Sequence, residues 1–185
     1  MPELPEVETL RRELAHKIKG KSLKKIEVNN AKMINVSSLA LDKKTRLSKV
    51  KSVQRRAKVL ILELSNSYNL LIHLKLTGQL VFQPKQGKIS SGGHPIRKAE
   101  SLPNKFTHAI FTFTDGSRLY FNDIRKFGWL RLFSDKDTIK ELADFGLEPL
   151  SKDFTLNRFK EILKKKSKAK IKQVLLDQSL IAGIG

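Results

Sequence analysis

The sequence predicts an α+β chain: a β-rich domain behind a leading helix, then a helical segment from about residue 134. Three observations carry this. Residues 3–19 place Val7, Leu10, Leu14 and Ile18 on one helical face, with Gly20 as a natural stop. From about 22 to 133 the apolar residues fall instead in short or alternating runs, as strands require. Past 134 the spacing returns to that of helices.

After the first helix come SLKKIEVN, KVLILEL, YNLLIHL and GQLVF, each of strand length. Pro84 to Asn104 carries Gly, Ser and Pro without periodicity and reads as a long loop. HAIFTFT and SRLYF flank Asp115-Gly116, a strong hairpin signal, and WLRLF completes the series. DKDTIKELADFG then reads as a helix ended by Gly146. TLNRFKEILKKK is a second helix and AKIKQVLLDQ a third, before the Gly-rich SLIAGIG. No internal repeat is visible. The division expected is residues 1–133 and residues 134–185.

Composition narrows the function. A hydrophobic content of 39% supports a core. No run approaches the roughly 20 apolar residues needed to cross a bilayer, and acidic first residues do not fit a signal peptide. No membrane partner is expected. Without cysteine the chain forms no disulfide and no thiolate metal site, and a cytosolic setting is the default. Lys and Arg number 37 against 18 Asp and Glu, a formal charge of +19. A small domain needs a magnitude of only about 2–8 for solubility, so the excess points to a polyanion, nucleic acid first. A basic membrane-surface helix would concentrate such charge, whereas here it is spread along the chain.

The opening, MPELPEVETLRREL, carries chemistry of its own. Removal of the methionine leaves Pro2 as a free secondary amine, whose ordinary pKa of about 8 keeps a useful fraction unprotonated. The positive end of a helix dipole further disfavours its protonated form. Such an amine attacks an aldehyde-level carbon to give an iminium ion, an electron sink. Glu3 is adjacent and able to move the proton this needs. Proline is equally common at a first helical position for conformational reasons alone.

This opening resembles that of bacterial formamidopyrimidine-DNA glycosylases, which excise oxidised purines and then cut the strand. The resemblance implies that Pro2 is the nucleophile, Glu3 the general acid and Glu6 a further active-site carboxylate. RRAKVLILEL is similar to the family's Arg-Arg-Gly-Lys strand, with Ala57 in place of glycine. That makes Lys58 the lysine that contacts the phosphate beside the lesion. IHLKLTGQL resembles the family's His-Leu-x-Met motif and puts Leu76 where a methionine wedges into the stack. YFNDIRKFGWL is similar to a fourth motif, with Ile124 for the usual proline. There Arg125 would reach the orphaned base, Phe127 fill the void and Lys126 lie near the backbone. Read singly, Lys58 is a solvated strand lysine, and Leu76 and Phe127 are core residues.

NKFTHA keeps His108 of a His-x-His pattern as a DNA contact, with Phe106 replacing the first histidine. GLEPL and KKKSKAKIKQVLLDQSLIAGIG resemble the start of a helix–two-turn–helix module, with Lys170, Lys172, Gly183 and Gly185 at the DNA. Residues 158–172 carry eight Lys or Arg against one acid, which suits phosphate contact. As a whole the resemblance implies a two-layer antiparallel β-sandwich with flanking helices, followed by a partial helix–two-turn–helix module. It implies a base-excision glycosylase and abasic-site lyase that uses a Pro2 Schiff base and β,δ-elimination. The expected partner is double-stranded DNA with oxidised bases or abasic sites. The expected setting is a monomer in a bacterial cytoplasm, at the nucleoid. No cofactor is expected in this chain. The family's zinc-bound hairpin of four cysteines is missing, and the chain stops one residue before the family's phosphate-holding asparagine. A C-terminally truncated product is therefore expected. Two other readings stay open at this level: a DNA-binding remnant without turnover, and a basic RNA-binding protein.

Overall fold

The computed structural model describes residues 2–93 and 101–185. The chain enters through α1 (Leu4–Ile18), whose stripe of Leu4, Val7, Leu10, Leu14 and Ile18 is buried. Then come β1 (Leu23–Val28), a 3-10 turn at Ala31–Met33, and α2 (Ser38–Thr45). A run of strands follows: β2 (Val50–Arg56), β3 (Val59–Leu64), β4 (Tyr68–His73), β5 (Gly78–Gln83) and β6 (Ser90–Gly93). After these come β7 (Thr107–Phe113), β8 (Arg118–Asp123) and β9 (Trp129–Ser134). The helices α3 (Asp135–Leu142), α4 (Leu156–Lys165) and α5 (Ile171–Leu176) come last.

Among the described residues the strands form two antiparallel sheets, ordered β1-β7-β8-β5-β6 and β2-β3-β4-β9. Side chains alternate across each strand, so the two inner faces meet in one core. Leu23, Leu60, Leu62, Leu70, Phe111 and Phe121 lie in it. The Asp115-Gly116 turn joins β7 to β8 as expected, with Gly116 at φ +88°, a conformation that favours glycine. The outer face of the second sheet is apolar too. Val59, Ile61 and Leu71 are buried there beneath Leu142 and Phe145, which explains the unbroken apolar run of β3.

Each open seam of the sandwich is covered. Unpaired sheet edges invite wrong pairing. At one seam α1 packs on both edge strands, β2 and β6. At the other, α2 packs on β1 and the 3-10 turn on β9. The Asn35 amide donates to Leu132 O at 3.1 Å and its Oδ1 accepts the Leu132 N–H at 2.9 Å. That side chain occupies backbone groups the β9 edge would otherwise expose.

Four local features depart from the sequence expectation. α2 buries only Leu41 and Thr45, too few positions to show a period. β2 buries Val50 and Val53, three apart, because its register shifts between Val50 and Ser52 and breaks the alternation. Ser90–Gly93, inside the expected loop, pairs with β5 and has no apolar residue to announce it. Residues 94–100 of that loop lie outside the described residues. Finally, α3 ends at Leu142, and Gly146 is not its stop. The Gly146 N–H donates to Gln178 O at 2.8 Å instead, close against Ser179 and Leu180.

One ion-pair cluster fastens three segments. On α1, Glu8 accepts from Arg11 and Arg12, each at 2.9 Å, and from Arg55 at 3.0 Å. Arg55, nearly buried at the end of β2, also donates to Glu148 at 2.8 Å and to Ala57 O at 2.7 Å. Glu148, beyond α3, accepts the Ala57 N–H with its other oxygen. Burial pushes the Glu8 carboxyl up, but the three guanidinium hydrogen bonds outweigh it and hold the group down from 4.5 to about 2.

Two measurements test these assignments. Phe121→Ala empties a fully buried site between the sheets and is expected to cost about 3–5 kcal/mol in urea unfolding. A change within about 0.5 kcal/mol would place the ring outside the core. The Glu8 pairing contributes fully above pH 4.5, where the carboxyl is ionised in both states. Below that the unfolded chain takes up the proton first, so the contribution falls away as pH drops toward about 2. Glu8→Gln is expected to flatten the unfolding free energy across this window. An unchanged pH profile would contradict the pairing.

Candidate active site

The start of α1 is built to present Pro2 and Glu3. Glu3 is the capping residue, with extended backbone at φ −101°, and its carbonyl accepts the Val7 N–H at 3.0 Å. The Glu6 carboxylate accepts the Glu3 N–H at 2.9 Å. Glu6 is exposed and does not line the cavity described below; the partner it meets is the Glu3 N–H. Pro2 is buried at the head of the helix.

Lys58 arrives from the tight turn between β2 and β3. Ala57 there has φ +51°, a left-handed conformation held by hydrogen bonds at both its N–H and its carbonyl. The Lys58 side chain is 11% exposed and forms an ion pair with Glu3. Glu3 Oε2 is buried with no hydrogen bond of its own, so this ion pair is what compensates it. Gly185 lies against the pair. A Cβ at 185 would overlap Lys58 Nζ and Glu3 Oε2 and come within 2.9 Å of Glu3 Cδ, so only glycine leaves the pair undisturbed.

The segment that delivers Gly185 is clamped by Gln178. Its Nε2 donates to Ile184 O at 2.6 Å and its Oε1 accepts the Gly183 N–H at 2.8 Å. Ala182 N donates to Leu147 O at 2.8 Å, tying the segment to the connection after α3. Gly183 is buried against Leu4 with its N–H already used, so its expected DNA contact is not available. Lys170 and Lys172 are exposed at the start of α5, outside the cavity.

A cavity of about 400 Å³ gathers Pro2, Lys58, His73, Leu76, Trp129 and Gly185. Sequence reasoning assigned no role to His73, although it heads the motif that contains Leu76. The His73 Nδ1 accepts the Lys75 N–H at 2.9 Å, which leaves the ring proton on Nε2. Burial, then the charges of Lys75, Lys58 and Arg131, lower the His73 pKa to about 3. The ring is therefore a neutral donor at physiological pH. It packs 5.5 Å from Trp129, a second residue that sequence reasoning left without a role. Being the only tryptophan in the chain was its one signal.

Leu76, Arg125, Lys126 and Phe127 come from two loops that Asp123 binds together. The buried Asp123 carboxylate accepts from the Thr77 hydroxyl, from Arg125 N–H at 3.2 Å and from Gly128 N–H at 2.7 Å. The Arg125 N–H also reaches Thr77 Oγ1 at 3.0 Å. Leu76 is half-buried on the cavity wall, while Arg125 and Lys126 are exposed and Phe127 is 54% exposed. The Arg125 guanidinium lies 4.9 Å from the Phe127 ring centroid, a cation–π pair. His108 departs from expectation. It is buried, with Nε2 2.8 Å from Asp123 O, so it props the loop from inside the sheet and faces no surface.

Among the described residues no three His, Asp or Glu side chains are grouped to hold a metal, and the chain has no cysteine. No described helix is long and apolar enough to cross a membrane.

Residues 1–130 match the family profile of the formamidopyrimidine-DNA glycosylase N-terminal domain. Formamidopyrimidine-DNA glycosylases of Pelotomaculum thermopropionicum and Carboxydothermus hydrogenoformans are 39% and 40% identical over all of this chain. The chain covers 63% and 62% of their respective lengths. Among solved structures, a complex between the Lactococcus lactis Fpg and abasic-site DNA is similar with a TM-score of 0.84. It is 31% identical, across all of this chain and 63% of that one. The chain thus spans a little under two thirds of the length of these relatives. With the profile match covering the strands and the turn that carries Lys58, the chain belongs to the formamidopyrimidine-DNA glycosylase family.

Proposed function

We propose that the chain acts in base-excision repair, removing oxidised purines from DNA and cutting the strand at the resulting abasic site. What carries the reading is that Pro2 and Lys58 line one cavity, with Glu3 paired to Lys58 and a neutral His73 donor on the cavity wall. The damaged nucleotide is flipped from the duplex so that its sugar reaches the amine. With Met1 removed, the Pro2 nitrogen attacks C1′ and the glycosidic bond breaks, the base leaving with a proton. Glu3 then takes the nitrogen's own proton and delivers it to the ring oxygen as the C1′–O bond opens. The product is an iminium ion between Pro2 and the opened sugar. Loss of protons beside this sink expels the two flanking phosphates in turn, the β,δ-elimination that cuts the strand on both sides.

Lys58 holds Glu3 in place and sets a cation where a backbone phosphate would lie. The His73 Nε2 proton suits a second phosphate oxygen. Leu76 and Phe127 would fill the gap left in the stack, and Arg125 would reach the base left without a partner. The basic stretch from Arg158 to Lys172 is exposed throughout its charged positions and would act as the helix–two-turn–helix side of the grip. The relatives solved with abasic-site and damaged-base DNA support DNA as the partner.

Borohydride reduction with an abasic-site duplex should leave a covalent adduct at Pro2. Pro2→Gly, or a retained Met1, is expected to weaken it greatly. An adduct of equal yield with the amine blocked would exclude Pro2. No adduct from the unmodified chain would favour a protein that holds DNA without turnover.

Leu76→Ala separates wedge from core. As a wedge, Leu76 should lower base excision about tenfold when truncated, roughly 1.4 kcal/mol of transition-state stabilisation, with little change in melting temperature. As a core residue it should cost about 2–5 kcal/mol of folding stability instead. Excision and stability measured on the same preparation decide between them.

A further inference from the structure

Lys75 lines the Pro2 cavity together with His73 and Leu76, and neither the sequence motifs nor the proposed reaction gives it a task. Its backbone sits at φ +51°, a left-handed conformation that glycine adopts freely and lysine does not. Three hydrogen bonds hold the turn in that shape. The Lys75 N–H donates to His73 Nδ1 at 2.9 Å, the Gly78 N–H to Leu74 O at 2.9 Å, and the Thr77 hydroxyl to the buried Asp123 carboxylate. Gly78 lies so close to Leu74 that a Cβ there would overlap the Leu74 carbonyl oxygen. The turn is therefore fixed along its length, while the Lys75 side chain is exposed. Among the described residues no carboxylate lines the cavity, and Lys58 already has Glu3 as its partner. After burial, Lys75 is the first of the charges that keep the His73 ring neutral, so ammonium and ring act on the same space.

A cation that served only the overall field could sit on any flexible loop. Lysine in a backbone that favours glycine, at a wall shared with the amine, points to a task for the side chain. Leu76, the next residue, is the proposed wedge, and it enters the gap that a flipped nucleotide leaves. The anions beside such a gap are the phosphates on either side of that nucleotide. An ammonium and an imidazole N–H can each donate to a different oxygen of one phosphate. We propose that Lys75 is a lesion-specific phosphate ligand. Its ammonium binds, together with the His73 Nε2 proton, a backbone phosphate adjoining the flipped nucleotide on the damaged strand. The assignment rests on the proposed entry of that nucleotide into the Pro2 cavity. It separates Lys75 from the surface cations that attract any duplex.

Lys75→Gly removes the side chain and suits the left-handed backbone, so the melting temperature should hold. The full chain is titrated with two duplexes, one carrying a tetrahydrofuran abasic analogue and one undamaged. The variant should bind the first about tenfold more weakly and the second no more than about twofold, with the salt slope on the first reduced by about one. Lys75→Arg keeps the charge and should bind within about threefold of the unmodified chain. An uncharged methylphosphonate is then placed at each flanking phosphate of the analogue in turn. At one of the two it should cost the unmodified chain about tenfold and cost Lys75→Gly nothing further. Equal weakening on both duplexes, or methylphosphonate losses that the variant shows in full at both positions, would overturn the assignment. Borohydride trapping on an abasic duplex runs in parallel with the unmodified chain. With an adduct present, those outcomes remove Lys75 alone. No adduct would overturn the reading of the Pro2 cavity on which the assignment rests.

Discussion

Lys58 stands where it does because the N–H of Ala57 has a half-buried carboxylate to meet. The turn that carries Lys58 places Ala57 at φ +51°, a conformation that costs a side-chain-bearing residue roughly 1–2 kcal/mol. Glu148 offsets this by accepting the Ala57 N–H and the Arg55 guanidinium together. Without that carboxylate a nearly buried guanidinium loses one of its partners and the Ala57 N–H loses its only one, an orphan that costs about 1–3 kcal/mol. Glu148 belongs to the connection between the sandwich and the last helices. The same connection pairs with the final segment through Leu147 N to Leu180 O at 3.0 Å. Docking of the helical segment and placement of the lysine are therefore one event. The approach of Gly185 to the Glu3–Lys58 pair follows from it.

What could be read from the sequence was whatever had a local cause. α1 was legible because five buried positions recur at helical spacing, and the β7–β8 hairpin because Asp115-Gly116 fits its turn. β2 was not, because its bulge separates the buried valines by three. β6 was not, because pairing with β5 alone makes it a strand. The site divides in the same way. Pro2 and Glu3 were legible at a helix start, whereas Lys58 was reached only through the resemblance of RRAKVLILEL to the family motif. Gln178 left no sequence signal, since its task is to join two backbone groups of the segment it belongs to.

His108 and Gly183 show what a motif leaves unsaid. Gly183 sits beside Ile184 and Gly185, which line the cavity, and His108 bonds to the strand that leads into the Arg125 loop, yet neither faces the cavity. In β7, side chains alternate between faces, and the His108 ring is directed at the carbonyl of Asp123 in the neighbouring strand. Gly183 is pressed on Leu4, so the first turn of α1 and the final segment share one contact. These residues bear on the site through what they hold. Asp123 does the same more directly, since three groups from two loops converge on its carboxylate.

The surface carries the excess of a +19 chain, whereas inside the cavity Lys58 is paired with Glu3, His73 is held uncharged by burial and nearby cations, and Lys75 stands at the wall. Surface cations attract any stretch of phosphate backbone and fade as salt rises, so they bring a polyanion close without choosing a place on it. Choice needs a cost that only some sites on the polymer can meet. Opening a stack costs a few kcal/mol per step, least where a base is damaged or missing. In the proposed function Leu76, Arg125 and Phe127 would offset that cost only once the nucleotide has left. A half-buried wedge and an exposed cation–aromatic pair, held ready by Asp123, would therefore act after attraction and before the amine. On this reading discrimination lies in the two loops and in what the cavity will accept.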